Sequence, residues 1–236
     1  MKKLLVPFLA FYSSIAFAAE RPELPTAYTN RNIEGWNVRI DNRLLTGESV
    51  SLGEQALKVL NAKLVDITLI VPSEPLAKLR AVTIEVDLNY GDLSSMQYHN
   101  DAGWLKDNRY SENLAKCVHI PIAEHLMSPT ENRRMPLVIL HELSHAYHDQ
   151  VLGYEEPRVK AAWKKFCDTG KYKNVLTSPG YRREHYGLTN QMEFFSEMTE
   201  AYFGSNDFFP FVAGELKQEE PTIYTLMTEI WGPILP

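Results

Sequence analysis

Two cysteines in 236 residues are too few for a small scaffold held by disulfides. Cys117 and Cys167 leave two outcomes open. A bridge between them would close a loop of about 50 residues, worth ~4 kcal/mol, or both are buried free thiols. Basic excess is also missing. Lys and Arg number 24 against 30 Asp and Glu, a formal net charge of −6, which excludes the electrostatic footprint of a nucleic-acid binder. There is no internal repeat and no low-complexity stretch, so solenoids and disordered arms are excluded. Past the N-terminal segment, no apolar run is long enough to cross a membrane.

That N-terminal segment is a leader. Lys2 and Lys3 precede an apolar run from Leu4 to Tyr12, and Ala16-Phe17-Ala18 forms an A-x-A cleavage site. The expected organisation is a signal peptide over residues 1–18 and one domain over 19–236, exported to the periplasm or secreted. About 218 residues suffice for a single sizeable core. Loss of the two leader lysines takes the charge from −6 to −8. An acidic surface favours solubility and cationic substrates.

Residues 20–32 read as a polar extended arm. Trp36-Asn37-Val38-Arg39-Ile40 alternates as a strand does, and residues 51–70 have helical spacing up to Pro72. Residues 82–86 and 117–122 read as further strands, and 89–110 as loop. Ser128-Pro129-Thr130-Glu131 is a capping box opening a helical region to Leu152 and Gly153, with Pro136 either kinking it or dividing it. A helix over 157–169, a hairpin around Ser178-Pro179-Gly180, a helix from Asn190 to Tyr202 and a last one over 221–231 complete the chain. The pattern predicts an α+β fold, with an N-terminal mixed sheet packed on a buried helix and a helical C-terminal half.

That buried helix holds His141-Glu142-Leu143-Ser144-His145, an HExxH motif behind the apolar run Leu137-Val138-Ile139-Leu140. Residues i and i+4 share a helix face, so two imidazoles can share one tetrahedral metal ion, with Glu142 placed as a base. A third ligand is required. Glu193, Glu197, Glu200, His185, His148 and the acidic loop after Gly153 are candidates. Glu193 and Glu197 stand one turn apart on an otherwise apolar helix. We assign Glu193 as ligand and Glu197 as acceptor of a hydrogen bond from a ligating histidine, His141. Tyr186 reads as either a phenol reaching the open side of the metal or a rim residue. His148 and Asp149 read as exposed in a last helical turn, where the helix dipole favours a histidine, and His99 and His185 as surface residues.

His141-Glu142-Leu143-Ser144-His145-Ala146 followed by Tyr186-Gly187-Leu188-Thr189-Asn190-Gln191-Met192-Glu193-Phe194-Phe195-Ser196-Glu197 resembles the catalytic domain of anthrax lethal factor, and is similar to the secreted bacterial proline-proline endopeptidases. The resemblance covers residues 137–202. It implies a zincin-like fold and a zinc metallopeptidase with one Zn²⁺ per chain on His141, His145 and Glu193. It also implies Glu142 as general base and Tyr186 assisting at the transition state. Ser144 and Ser196 stand where small residues are usual. The expected partner is a peptide or protein lying along an edge strand, sought in residues 94–99, with no nucleic acid, no membrane after leader cleavage, and a monomeric chain. Two other readings stay open: a non-catalytic metal-binding module of the same fold, and a zinc amidase acting on cell-wall peptides.

Overall fold

The computed structural model describes residues 24–234, and the expected leader lies outside them. The chain forms β1 (Tyr28–Ile33), β2 (Trp36–Asp41), α1 (Val50–Ile70), α2 (Ser73–Arg80), β3 (Ile84–Val86), β4 (Gln97–Tyr98), α3 (Ala102–Asp107) and β5 (Val118–Ile120). It continues with α4 (Pro129–Arg134), α5 (Val138–Tyr147), α6 (Pro157–Asp168), β6 (Val175–Leu176), β7 (Arg182–Arg183), α7 (Gln191–Phe203), α8 (Ala213–Glu219) and α9 (Pro221–Trp231). The class is α+β with a small mixed sheet, as the sequence predicts.

Five strands lie in the order β1-β2-β3-β5-β4. β2, β3 and β5 run parallel, while β1 and β4 pair antiparallel at the two edges. Strand alternation sorts the side chains. Val38, Ile40, Ile84, Val86, Val118 and Ile120 enter the main core, to which α1, α5 and α7 also contribute. Arg39, Glu85 and His119 are register partners on the opposite face. There they lie under residues 88–116, which carry a small core of their own in Tyr90, Leu105 and Leu114.

Several elements depart from the sequence reading. From Tyr28 on, the polar arm is strand β1, which pairs with β2 and exposes its middle residues, so it needs no apolar alternation. Pro72 both stops α1 and stands at the N-cap of the unforeseen α2. α3 lies within the stretch read as loop, capped by Asp101, and α8 lies between the two C-terminal helices that the sequence predicts. At Pro136 the helical region divides: Ser128 caps α4 by accepting from the Glu131 N–H, and α5 starts afresh at Val138. The sequence left the two cysteines open, and both are free. Cys117 is buried beside the Asn113 and Ala115 carbonyls.

α5 does not end on an ordinary turn. It widens into a π-helical turn, His148–Leu152, and stops at Gly153, whose φ of +80° a side chain would strain. α7 crosses α5 closely. Ser196 Oγ donates to the His141 carbonyl at 3.1 Å, and Gly204 leaves room for Leu137, whose Cδ1 would lie 2.7 Å from an added Cβ.

Candidate metal centre

α5 and α7 meet at three side-chain atoms. His141 Nε2 lies 3.2 Å from His145 Nε2 and 3.2 Å from Glu193 Oε2, and His145 Nε2 lies 3.3 Å from the same oxygen. A tetrahedron with metal–ligand bonds of about 2.0–2.1 Å has edges of about 3.3–3.4 Å. The triangle therefore has the size of one face of such a tetrahedron. Glu193 is brought there by its helix start: Asn190 Oδ1 caps α7, accepting from the Met192 and Glu193 N–H groups at 2.9 Å each.

The proton inventory agrees. Glu200 Oε1 lies 2.6 Å from His141 Nδ1 and accepts its N–H, which leaves a lone pair on Nε2 in the neutral ring. The two Nε2 atoms face each other at 3.2 Å, a contact that needs a proton or another cation between them. Burial works against charge on His141, but hydrogen bonds to Glu193 and Glu200 outweigh it and hold the ring well above its ordinary range. Burial likewise opposes charge on Glu193, yet the two histidines hold its carboxyl well below the usual carboxylate range. Both shifts mean that the triangle favours positive charge, and these residues fit a metal ion.

Glu197 is not the acceptor expected from the sequence. Its Oε1 is 3.9 Å from His141 Nδ1, and Glu200, one turn further along α7, takes that bond. From Glu193 the helical steps to 197 and 200 are roughly +40° and −20°, so both face α5, and the crossing of the helices decides between them. Glu197 sits instead in a buried acidic group with Glu200 and Asp207, where burial first and the Glu200 charge second push its pKa well up.

Glu142 is 8 % exposed and lines the cavity beside the triangle. The Tyr98 N–H donates to its Oε2 at 2.8 Å, so edge strand β4 fixes one carboxylate oxygen and leaves the other free. Burial raises its pKa, offset by the two histidines. Tyr186, 43 % exposed, lines the same cavity. It opens a short 3₁₀ turn whose Gly187 N–H donates to His185 Nδ1 at 3.0 Å. Burial and the Glu193 charge raise its pKa, so the phenol keeps its proton at neutral pH.

His99, His148 and His185 are buried, contrary to the surface positions expected. His99 bonds through Nε2 to His119 Nδ1 at 3.1 Å, and His185 lies among Phe166, Tyr172 and Phe208. His148 is 0 % exposed because the π turn carries it inward against Phe195 and Tyr154. Asp149 takes a hydrogen bond from the Tyr98 hydroxyl at 2.6 Å and pairs with Lys116, tying β4 to the same turn.

A cavity of about 970 Å³ opens over the triangle. Its walls include Met96, Gln97, Tyr98 and Asn100 on the β4 side, Leu126, Met135 and Val138 by α4 and α5, and Tyr186, Met192 and Phe208 opposite. Compared with protein-family models, curated proteins and solved structures, the chain finds no match.

Proposed function

We propose that this protein is an exported zinc metallopeptidase that hydrolyses peptide bonds, with a zincin-like fold. The observation that carries the reading is the triangle of His141, His145 and Glu193, sized for a tetrahedral ion, with the free oxygen of Glu142 beside it in an open cavity. Tetrahedral nitrogen and carboxylate ligation favours zinc over calcium or magnesium. When bound, zinc supplies Lewis acidity toward water and a carbonyl oxygen.

The chain's own residues supply the rest. Glu142 takes the proton of the attacking water on its free oxygen and hands it to the leaving amine, its raised pKa bringing it nearer to the working pH. Tyr186 donates its O–H to the oxyanion that develops on the carbonyl. Glu200 holds the His141 ring in the tautomer that keeps Nε2 free. An extended substrate lies along β4. The N–H of Tyr98 is already spent on Glu142, and His99 N–H and C=O bond inward to Cys117 and Lys116. The substrate therefore pairs with the flanking positions 96 and 100.

Glu142→Gln tests the reading. An amide cannot accept the proton, so peptide turnover should fall by on the order of 10²–10⁴ while metal content and melting temperature stay at wild-type values. Near-wild-type turnover by this variant would remove Glu142 from the base role.

A further inference from the structure

The charges lining the cavity are not equally occupied. Glu131 and Asp207 both pair with Arg134, Glu193 faces His141 and His145, Glu142 accepts from Tyr98, and Glu197 is 1 % exposed beneath His141. Two cations lack such a match. Lys63, half-buried on α1, donates only to the Pro136 carbonyl at 3.0 Å, and no carboxylate lies within ion-pair distance among the described residues. Burial holds its ammonium below the usual lysine range, and the charge of Asp66 only partly offsets this. Arg183, on β7 three residues before Tyr186, lays its guanidinium 5.7 Å from the Phe208 ring centre and has no acidic partner among the described residues. A guanidinium on an aromatic face keeps its in-plane N–H groups free for a carboxylate. The chain is acidic overall, so two unmatched cations in this cavity are out of keeping with its surface.

We propose that the cavity selects acidic peptides, with Lys63 and Arg183 each receiving a carboxylate of the substrate beside the bond to be cut. This rests on the peptidase reading and gives its substrate class. It reverses the preference for cationic substrates that net charge alone suggests. Lys63 has an N–H to spare beyond its carbonyl bond, and a carboxylate arriving there relieves the cost of its burial. The two cations lie on different elements, α1 and β7, so each recognises its own substrate position.

The test separates binding from cleavage. Zinc-loaded Glu142→Gln protein is titrated with acetylated and amidated alanine-based octapeptides, each carrying one Glu or its isostere Gln at successive positions. We expect Glu to bind at least 10-fold tighter than Gln at one or two positions. Lys63→Met should abolish the preference at one of them and Arg183→Gln at another, with melting temperature unchanged. Raised salt should weaken only the Glu peptides. Absence of any Glu-over-Gln difference, or a preference that survives both substitutions, overturns the proposal. If the preference is present and wild-type enzyme cuts none of the bound peptides, the acidic subsites stand and the peptidase reading fails.

Discussion

Among the described residues three groups of His, Asp and Glu could hold a metal ion, and the difference between two of them separates a candidate metal site from an ion-pair network. His141, His145 and Glu193 form one; Glu85, Asp87 and His119, on the far face of the sheet, form the other. Both bring three ligand atoms within 4.8 Å of one another. In the first, two imidazole nitrogens and a carboxylate oxygen face one another and a cavity opens over them. In the second, Arg39 already bonds Glu85, and His119 spends one nitrogen on Asp87 at 2.8 Å and the other on His99 at 3.1 Å. Burial and neighbouring carboxylates push Glu85 and Asp87 up to about 7, so the second group eases its charge by holding protons and an arginine. Convergence alone does not mark a candidate metal centre; ligand atoms turned toward one another under an open cavity do.

The largest expected effect breaks that comparison most directly. Purified protein should carry about one zinc per chain by elemental analysis, reduced to background by His141→Ala, His145→Ala or Glu193→Ala. Asp87→Asn and His119→Gln should leave zinc untouched. Glu85→Ala should also keep it but lose stability, near the low end of about 3–5 kcal/mol in denaturant unfolding, because Arg39 is left without its partner. Two zinc ions per chain, one of them lost on Asp87→Asn, would erase the distinction. Full zinc in Glu193→Ala with loss on replacing Glu197 would exchange the roles of those carboxylates.

Tyr186→Phe asks whether the first group is a site for chemistry or only for metal. The phenol gains most as charge develops on the carbonyl oxygen, so its loss should lower kcat more than it raises KM. The expected fall is about 10²-fold, near the low end for an oxyanion donor, since the metal shares the charge. Zinc content and melting temperature should barely move, because the ring is kept. Wild-type kcat would leave Tyr186 as a rim residue.

Local rules made much of this legible. The caps Ser128 and Asn190, the i, i+4 histidines, the hairpin at residues 175–183 and the terminal helix all follow from patterns within a few residues. What stayed hidden depends on how distant elements meet. Glu200 could be named as a metal-ligand candidate, but only the crossing of α5 and α7 makes it the partner of His141. The role of β4 was expected from residues 94–99, but not that its backbone N–H would hold Glu142, 44 residues away in sequence. Arg39, Glu85 and His119 come from three separate strands, and their row exists only once β2, β3 and β5 are in register.

His148 offers the smallest effect and the finest comparison, since it continues the face of His145 yet lies sealed among rings. Neither of its nitrogens has a hydrogen-bond partner, and burial pushes its pKa down to about 4, from 6.5 in an exposed chain. A base whose folded pKa is depressed is protonated first in the unfolded state. Its contribution to stability is therefore intact above pH 6.5 and is lost as pH falls toward 4. The full loss is at most about 3 kcal/mol. His148→Phe keeps ring contacts with Phe195 and Tyr154 but cannot take a proton. Protonation of the metal ligands acts on wild type and variant alike, so the difference between their unfolding free energies isolates this one imidazole. That difference should be constant above pH 6.5 and grow in favour of the variant down to about pH 4. Parallel curves across that window would mean that water reaches the ring, and that the π turn does not seal it.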